Sequence, residues 1–162
     1  MTQPHLKAVA RFVRDLLDYD EQLIKFDRRN IQASDFSTSY IVVNGVMPQT
    51  VLARGQRFNG AAEVMTYTAA VSHTIVLEFW GDHAHINAEA FLMLSESQRA
   101  NELRRTNALT IMAVSNITNV GLLLGQSHGN RIHLSFNVQY APAHDVQTLR
   151  IDTPQFQFLE DK

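Results

Sequence analysis

The residues best suited to chemistry in this chain are two histidines separated by one alanine, beside a carboxylate, in Asp82-His83-Ala84-His85. On a strand this spacing would aim both imidazoles to one side, as a metal site can use. A zinc centre takes three or four converging ligands, and His128, His133 and His144 stand at no recognisable ligand spacing from the pair. The pair also directly follows Gly81, in what reads as a turn. His83 and His85 are thus metal candidates only if the fold delivers a third ligand, and the simpler reading is an ordinary polar turn. A small metal-dependent enzyme using these histidines is one alternative for the chain.

Other catalytic arrangements have less support. There is no Gly-x-Ser-x-Gly elbow, and Ser95 and Ser97 fall where a helix would aim them at solvent or at its own backbone. The glycines at 55, 60, 121, 125 and 129 never form a phosphate-cradling loop with a following Lys-Ser or Lys-Thr. Asp20-Glu21 and Glu160-Asp161 are adjacent carboxylates near element ends, which solvation explains. Phe79-Trp80 lacks the interleaved basic residues of a base-stacking platform and reads as core or interface. With no cysteine, disulfides, thiolate metal sites and cysteine nucleophiles are excluded. The residues give no positive argument for an enzyme or a cofactor.

At 162 residues the chain is most simply one domain. A chain of this size buries about 70% of the surface its unfolded form exposes, enough for a real core. The net charge of −2 argues against a dedicated nucleic-acid binder, which carries a basic surplus. The N-terminus lacks the pattern of a secretory signal, and the apolar runs fall short of the roughly 18 residues of a membrane span. A soluble protein of a reducing interior is expected.

The elements that would position these residues centre on Ser72 to Thr106. His73 to Trp80 is a β-branched and aromatic strand, stopped by Gly81-Asp82. Asn87 reads as a helix cap, with Glu89 favouring the positive end of the dipole and Ile86 and Phe91 spaced as a hydrophobic staple. The main helix then runs over about 88–105, ending at Arg104-Arg105, with Asn107 as a left-handed terminator. Before it, Leu6, Val9, Ala10, Val13, Leu16 and Leu17 recur at helical spacing, predicting an N-terminal helix over about 4–18. Leu23, Ile24 and Phe26 form either an extension of it or an extended lead-in, and Asp27 to Asn30 reads as a solvated loop.

Ser39 to Asn44 is a strand by composition, ended by Gly45 and Pro48, and Met47 to Gly60 reads as a long loop. Glu63 to Val71 alternates as a strand, with Met65 and Tyr67 on one side. It joins the next strand either through a hairpin around Ser72 or as one strand with a bulge. Leu109 to Val114 reads as a strand, and Ser115 to Asn130 as a polar, Gly-rich stretch around Val120 to Leu124. In Arg131 to Tyr140, Ile132, Leu134, Phe136, Val138 and Tyr140 share one face, while Arg131, His133, Ser135, Asn137 and Gln139 share the other. One buried and one wet face favour an antiparallel sheet. Val146 to Leu159 supplies one or two short terminal strands. The order predicts an α+β sandwich, with helices packed on one face of an antiparallel or mixed sheet spanning about 38–159.

This order and its residues resemble the neck or tail terminator proteins of tailed bacteriophages. The likeness runs from Ser39 to Asp152. It is carried by the Thr66-Tyr67-Thr68 strand, the apolar strand ending in Trp80-Gly81-Asp82, and the helix opening Asn87-Ala88-Glu89-Ala90. The strand Thr110 to Val114, a Gly-rich loop, and a closing strand with Arg131, Ile132, Leu134, Phe136 and Tyr140 complete it. The N-terminal helix is also in the place the resemblance expects.

The resemblance implies a non-enzymatic virion protein without cofactors, assembled in the host cytoplasm. It would form a homo-oligomeric ring, commonly a hexamer, that caps the tail tube, ends its polymerisation and offers a joining surface to the head-completion or connector protein. Genomic DNA would pass through the lumen without specific binding, and no membrane is involved. A tail-completion or head-closure connector protein of the same neck is the nearest alternative. The segments Met47 to Gly60 and Ser115 to Asn130 are the expected contact loops, with Arg54, Arg57, Phe58, Leu122 and Leu123 as candidate contacts to neighbouring subunits or the tube.

Overall fold

Helices pack on one face of a mixed sheet in the computed structural model, which describes residues 3–26, 39–120 and 130–149, with backbone only at residues 47 and 48. Helix α1 (Pro4–Leu17) has proline in its first turn, where no backbone donor is needed, and buries Val9, Phe12, Val13 and Leu16 along one stripe. Asp18, in the left-handed conformation (φ 52°), ends it. One 3-10 turn, Glu21–Leu23, leads to β1 (Ile24–Phe26), so the lead-in after α1 is extended.

Two long strands follow, β2 (Tyr40–Asn59) and β3 (Val64–Trp80), paired antiparallel along their length. After helices α2 (Ala84–Leu94) and α3 (Gln98–Thr106) come β4 (Thr110–Met112), β5 (Thr118–Asn119), β6 (Arg131–Tyr140) and β7 (Ala143–Gln147). The sheet order is β1-β2-β3-β6-β4, with β5 added to β6 and β7 to β3. Only the β1–β2 ladder is parallel among these pairs. This is the α+β architecture expected of the sequence.

Cross-strand partners point to the same face. Ile41, Phe79 and Ile132 form one row, and Val43, Leu77 and Leu134 the next, all buried under α1 and α2. Phe91 of α2 closes this core with Phe12, Phe79 and Phe136, their ring centroids 5.8–6.3 Å from it.

Several expectations are corrected. Gly81 has φ 88° and reverses the chain at once, a conformation a side chain resists, and a Cβ there would meet the Ser39 backbone at 2.8 Å. The helix therefore starts earlier than Asn87, with His83 at the cap position and no side-chain capping bond. Ile86 is 62% exposed and makes no staple, although Phe91 is fully buried. The single main helix is two. Ser95 Oγ donates to the Leu92 carbonyl at 2.7 Å, and Ser97 Oγ accepts from Ala100 N at 3.1 Å, capping α3. Ala108 (φ 51°), not Asn107, is the left-handed residue after it.

A further correction concerns Met47 to Gly60, expected as a loop. It is the outer half of β2. Gly45 and Pro48 do not end the strand, because Pro48 falls at a register shift between Val46 and Thr50, where a missing N–H breaks no ladder bond. A second shift lies between Val51 and Ala53. Strand Glu63 to Val71 accordingly continues into His73 to Trp80 as one strand. Of the terminal stretch Val146 to Leu159, only the beginning belongs to β7; residues from 150 on lie outside the described residues.

The second sheet face is not wet throughout. Near Trp80 it holds a buried cluster of Tyr40, Val42 and Trp80, and within it Glu78 is fully buried. Arg131 Nη2 lies 3.2 Å from Glu78 Oε2, its guanidinium 4.7 Å above the Trp80 ring, and Trp80 Nε1 donates to the same carboxylate oxygen at 3.3 Å. The partnership explains how a charge survives there, since a buried carboxylate needs an opposite charge and donors.

Two stability changes are expected. Phe91→Ala should lose about 3–5 kcal/mol in a urea titration, and Phe91→Asp, which adds an unpaired buried charge, should abolish the cooperative transition. Glu78→Ala should lose about 3–5 kcal/mol by leaving a buried guanidinium without its carboxylate, with Glu78→Gln falling between it and the parent chain.

Candidate assembly interface

Helix coverage of the sheet stops at the first turn of α1. There His5 stacks on Tyr140, ring centroids 4.2 Å apart, and its Nε2 lies 2.7 Å from His73 Nδ1. His73 shares its sheet face with Ile75, Leu77 and Phe79, and Gly45 opens the space for its ring: a Cβ there would meet His73 Cε1 at 2.5 Å. Burial, and then the neighbouring His73, hold the His5 imidazole below its ordinary titration range; burial does the same to His73 against a partial gain from the Val46 backbone. Burial pushes the Tyr140 phenol up. Its hydroxyl donates to Gln49 Oε1 at 2.9 Å, and Gln49 Nε2 donates to Gln3 Oε1 at 2.9 Å.

Beyond this step β2 and β3 run on, joined by β7 on the other edge of β3. The turn at the tip is held by Asn59 Oδ1, which accepts from the Ala61 and Ala62 amides, and Glu63 adopts φ 51° there. Strand alternation assigns two faces to this three-stranded arm. Phe58, Met65 and Val146 stand opposite one another in one row, with Gln56, Tyr67 and His144 in the next and Arg54 beyond. Arg57, Thr66 and Asp145 form a row on the other face, where Thr66 Oγ1 donates to Asp145 Oδ1 at 2.6 Å.

The Phe58 face continues the core face of the sheet, yet no helix among the described residues covers it. Phe58 is 40%, Tyr67 45% and Val146 41% exposed, alongside Val51 and Leu52 nearer the base. An apolar row in this state gains about 25 cal/mol for each Å² a partner covers. At the foot of the arm lies an open groove of about 650 Å³, lined by residues including Pro4, His5, Ala8, Leu109, Tyr140 and Ala141.

The expected contact residues divide accordingly. Arg54 and Phe58 share the apolar face, while Arg57 lies opposite; all three are on the exposed arm. Leu122 and Leu123 lie outside the described residues. His83 sits at the α2 start with its Nδ1 3.3 Å from Ser39 Oγ, and His85, more than half exposed, lies 3.3 Å from Glu89 one turn along. Among the described residues, no three His, Cys, Asp or Glu side chains converge as metal ligands, and no helix is long and apolar enough to cross a membrane.

The His5–His73 pair escaped sequence reading because its partners are distant in sequence; the signal was a histidine on the apolar side of the best strand. Met65 and Tyr67 were readable as one side of a strand. Their row with Phe58 and Val146 was not, since it needs the pairing of three strands.

The description of the family whose model matches this chain is "phage neck terminator protein", and the match covers residues 4–162. A comparison with curated individual proteins gives no match.

Because both imidazoles titrate lower in the folded chain than their ordinary 6.5, the unfolded chain takes up more protons as the medium turns acidic. Their contribution to stability is intact above about pH 6.5 and is lost as pH falls through that value toward the folded titration range. The urea midpoint should therefore drop between about pH 7.5 and 5.5, and His5→Gln should flatten that drop; an equal drop in both proteins would refute the assignment.

Proposed function

The chain belongs to the phage neck terminator family, a family of structural neck proteins, and from that premise we propose that it assembles with copies of itself into a ring at the end of the tail tube. The ring, a hexamer, caps the tube, stops its polymerisation and offers the joining surface for the head connector. It is part of the virion neck, and genomic DNA passes through its lumen without specific binding. The observation that carries this reading is the arm: a three-stranded ribbon whose apolar patch, Phe58, Met65, Tyr67 and Val146, has no helix over it among the described residues. Exposed contiguous apolar surface marks an interaction site. Closed cyclic assembly, moreover, needs two unlike surfaces on each copy, which an arm and a body supply. Arg54, Arg57 and Phe58 are assigned to this contact region, while His83 and His85 are surface groups without a metal role.

Purified chain, alone and mixed with tail tubes, tests it by sedimentation velocity and negative-stain imaging. Rings free in solution or seated on tube ends are expected, with tube lengths no longer increasing once the protein is added. Monomers that leave the tubes growing would refute the proposal.

A further inference from the structure

Resting on the ring reading above, we propose the contact itself: the apolar face of one copy's arm docks into the groove at the foot of the next copy's arm. Three observations converge on a second copy of this chain as the occupant. First, the arm gathers its large apolar side chains on one face. Phe58, Met65, Tyr67 and Val146 share the face that continues the core side of the sheet, with Arg54 nearer its base, while Arg57 and Asp145 are turned to the other. Second, the groove is lined only by residues uncharged at neutral pH, among them Pro4, Ala8, Leu109, Tyr140, Ala141 and Pro142, and is apolar over most of its wall. A largely apolar arm face and an uncharged groove are complementary, whereas DNA would require a denser basic surface than the one arginine, Arg54, on that face supplies.

Area supplies the third argument. With strands rising about 3.4 Å per residue and lying about 4.8 Å apart, one face of the arm offers on the order of 350 Å². A stable contact takes about 800 Å² from each partner. Two arms laid face to face fall well short of that. An arm seated in a groove is covered on its apolar face and along an edge together, and so buries more of itself than a face alone. The outer edge of β2 beyond Val43 has no strand partner among the described residues and lies beside the same face. Arm and groove are different surfaces at different places on one chain. Their contact is therefore head to tail, the kind that closes into a ring when the rotation permits.

Two exposed substitutions separate this contact from others: Phe58→Glu on the arm and Ala141→Arg at the groove. Both sites are exposed, so each variant should keep the parent melting temperature. Each alone should sediment as a monomer and fail to ring tube ends. An equimolar mixture should form dimers and nothing larger, because one intact arm then meets one intact groove. The absence of cysteine permits a direct second test on the assembled protein, in solution or on tubes. Ala61→Cys at the arm tip and Gln3→Cys beside the groove, mixed and oxidised, should give the 61-to-3 cross-link in preference to either self-link. Rings that persist in Phe58→Glu, a mixture that stays monomeric, or a dominant 61-to-61 link would overturn this contact while leaving the ring reading standing. A parent chain that never self-associates, even with tubes, would overturn both.

Discussion

Backbone pairing along β3 places Met65, Tyr67, His73, Ile75, Leu77 and Phe79 on one side of the sheet, because its ladders to β6 and β7 run without a register shift. In a strand, side-chain direction alternates strictly, so one uninterrupted ladder commits both ends of the molecule at once. At the Trp80 end that side is roofed by α1 and α2 and becomes the core. At the Val64 end the described helices have run out, and the same side faces outward as the arm.

The arm is stable only because it grows from this core. A free two-stranded hairpin is marginal in water, and here the pair is anchored through Tyr40–Val46 and Thr74–Trp80 and widened by β7. Its long outer edge would invite uncontrolled strand pairing. Two register shifts on β2, together with Arg54 and Arg57, are the devices by which natural sheets blunt such an edge while leaving it open to a specific partner.

Buried polar groups mark the two limits of the helix-covered core. The neutral His5–His73 pair lies where α1 meets the base of the arm, and the Glu78–Arg131 pair on the opposite face near Trp80. Each joins segments far apart in sequence. Each also depends on its partner to remain inside, which makes both sensitive to single substitutions and the histidine pair sensitive to pH. The histidines flagged by their spacing, His83 and His85, lie instead at the outside of the first turn of α2. Proximity in sequence is a poor guide to convergence in space.

Local chemistry was enough to specify the strand periods of β3 and β6, the amphipathic stripe of α1 and the α+β class, because alternation and helical spacing are written in neighbouring residues. It was also enough to exclude thiol chemistry, and it carried the family resemblance. Three outcomes lay beyond it. Pro48 was compatible with either the end of a strand or a bulge, and only pairing with β3 decided for the bulge and turned an expected loop into the arm. Asn87 could have capped a helix, but the reversal at Gly81 started that helix one turn earlier. Phe58, Met65, Tyr67 and Val146 are unremarkable singly, on three separate strands. They become one surface patch through hydrogen-bond register, a property of the assembled sheet that no single segment contains.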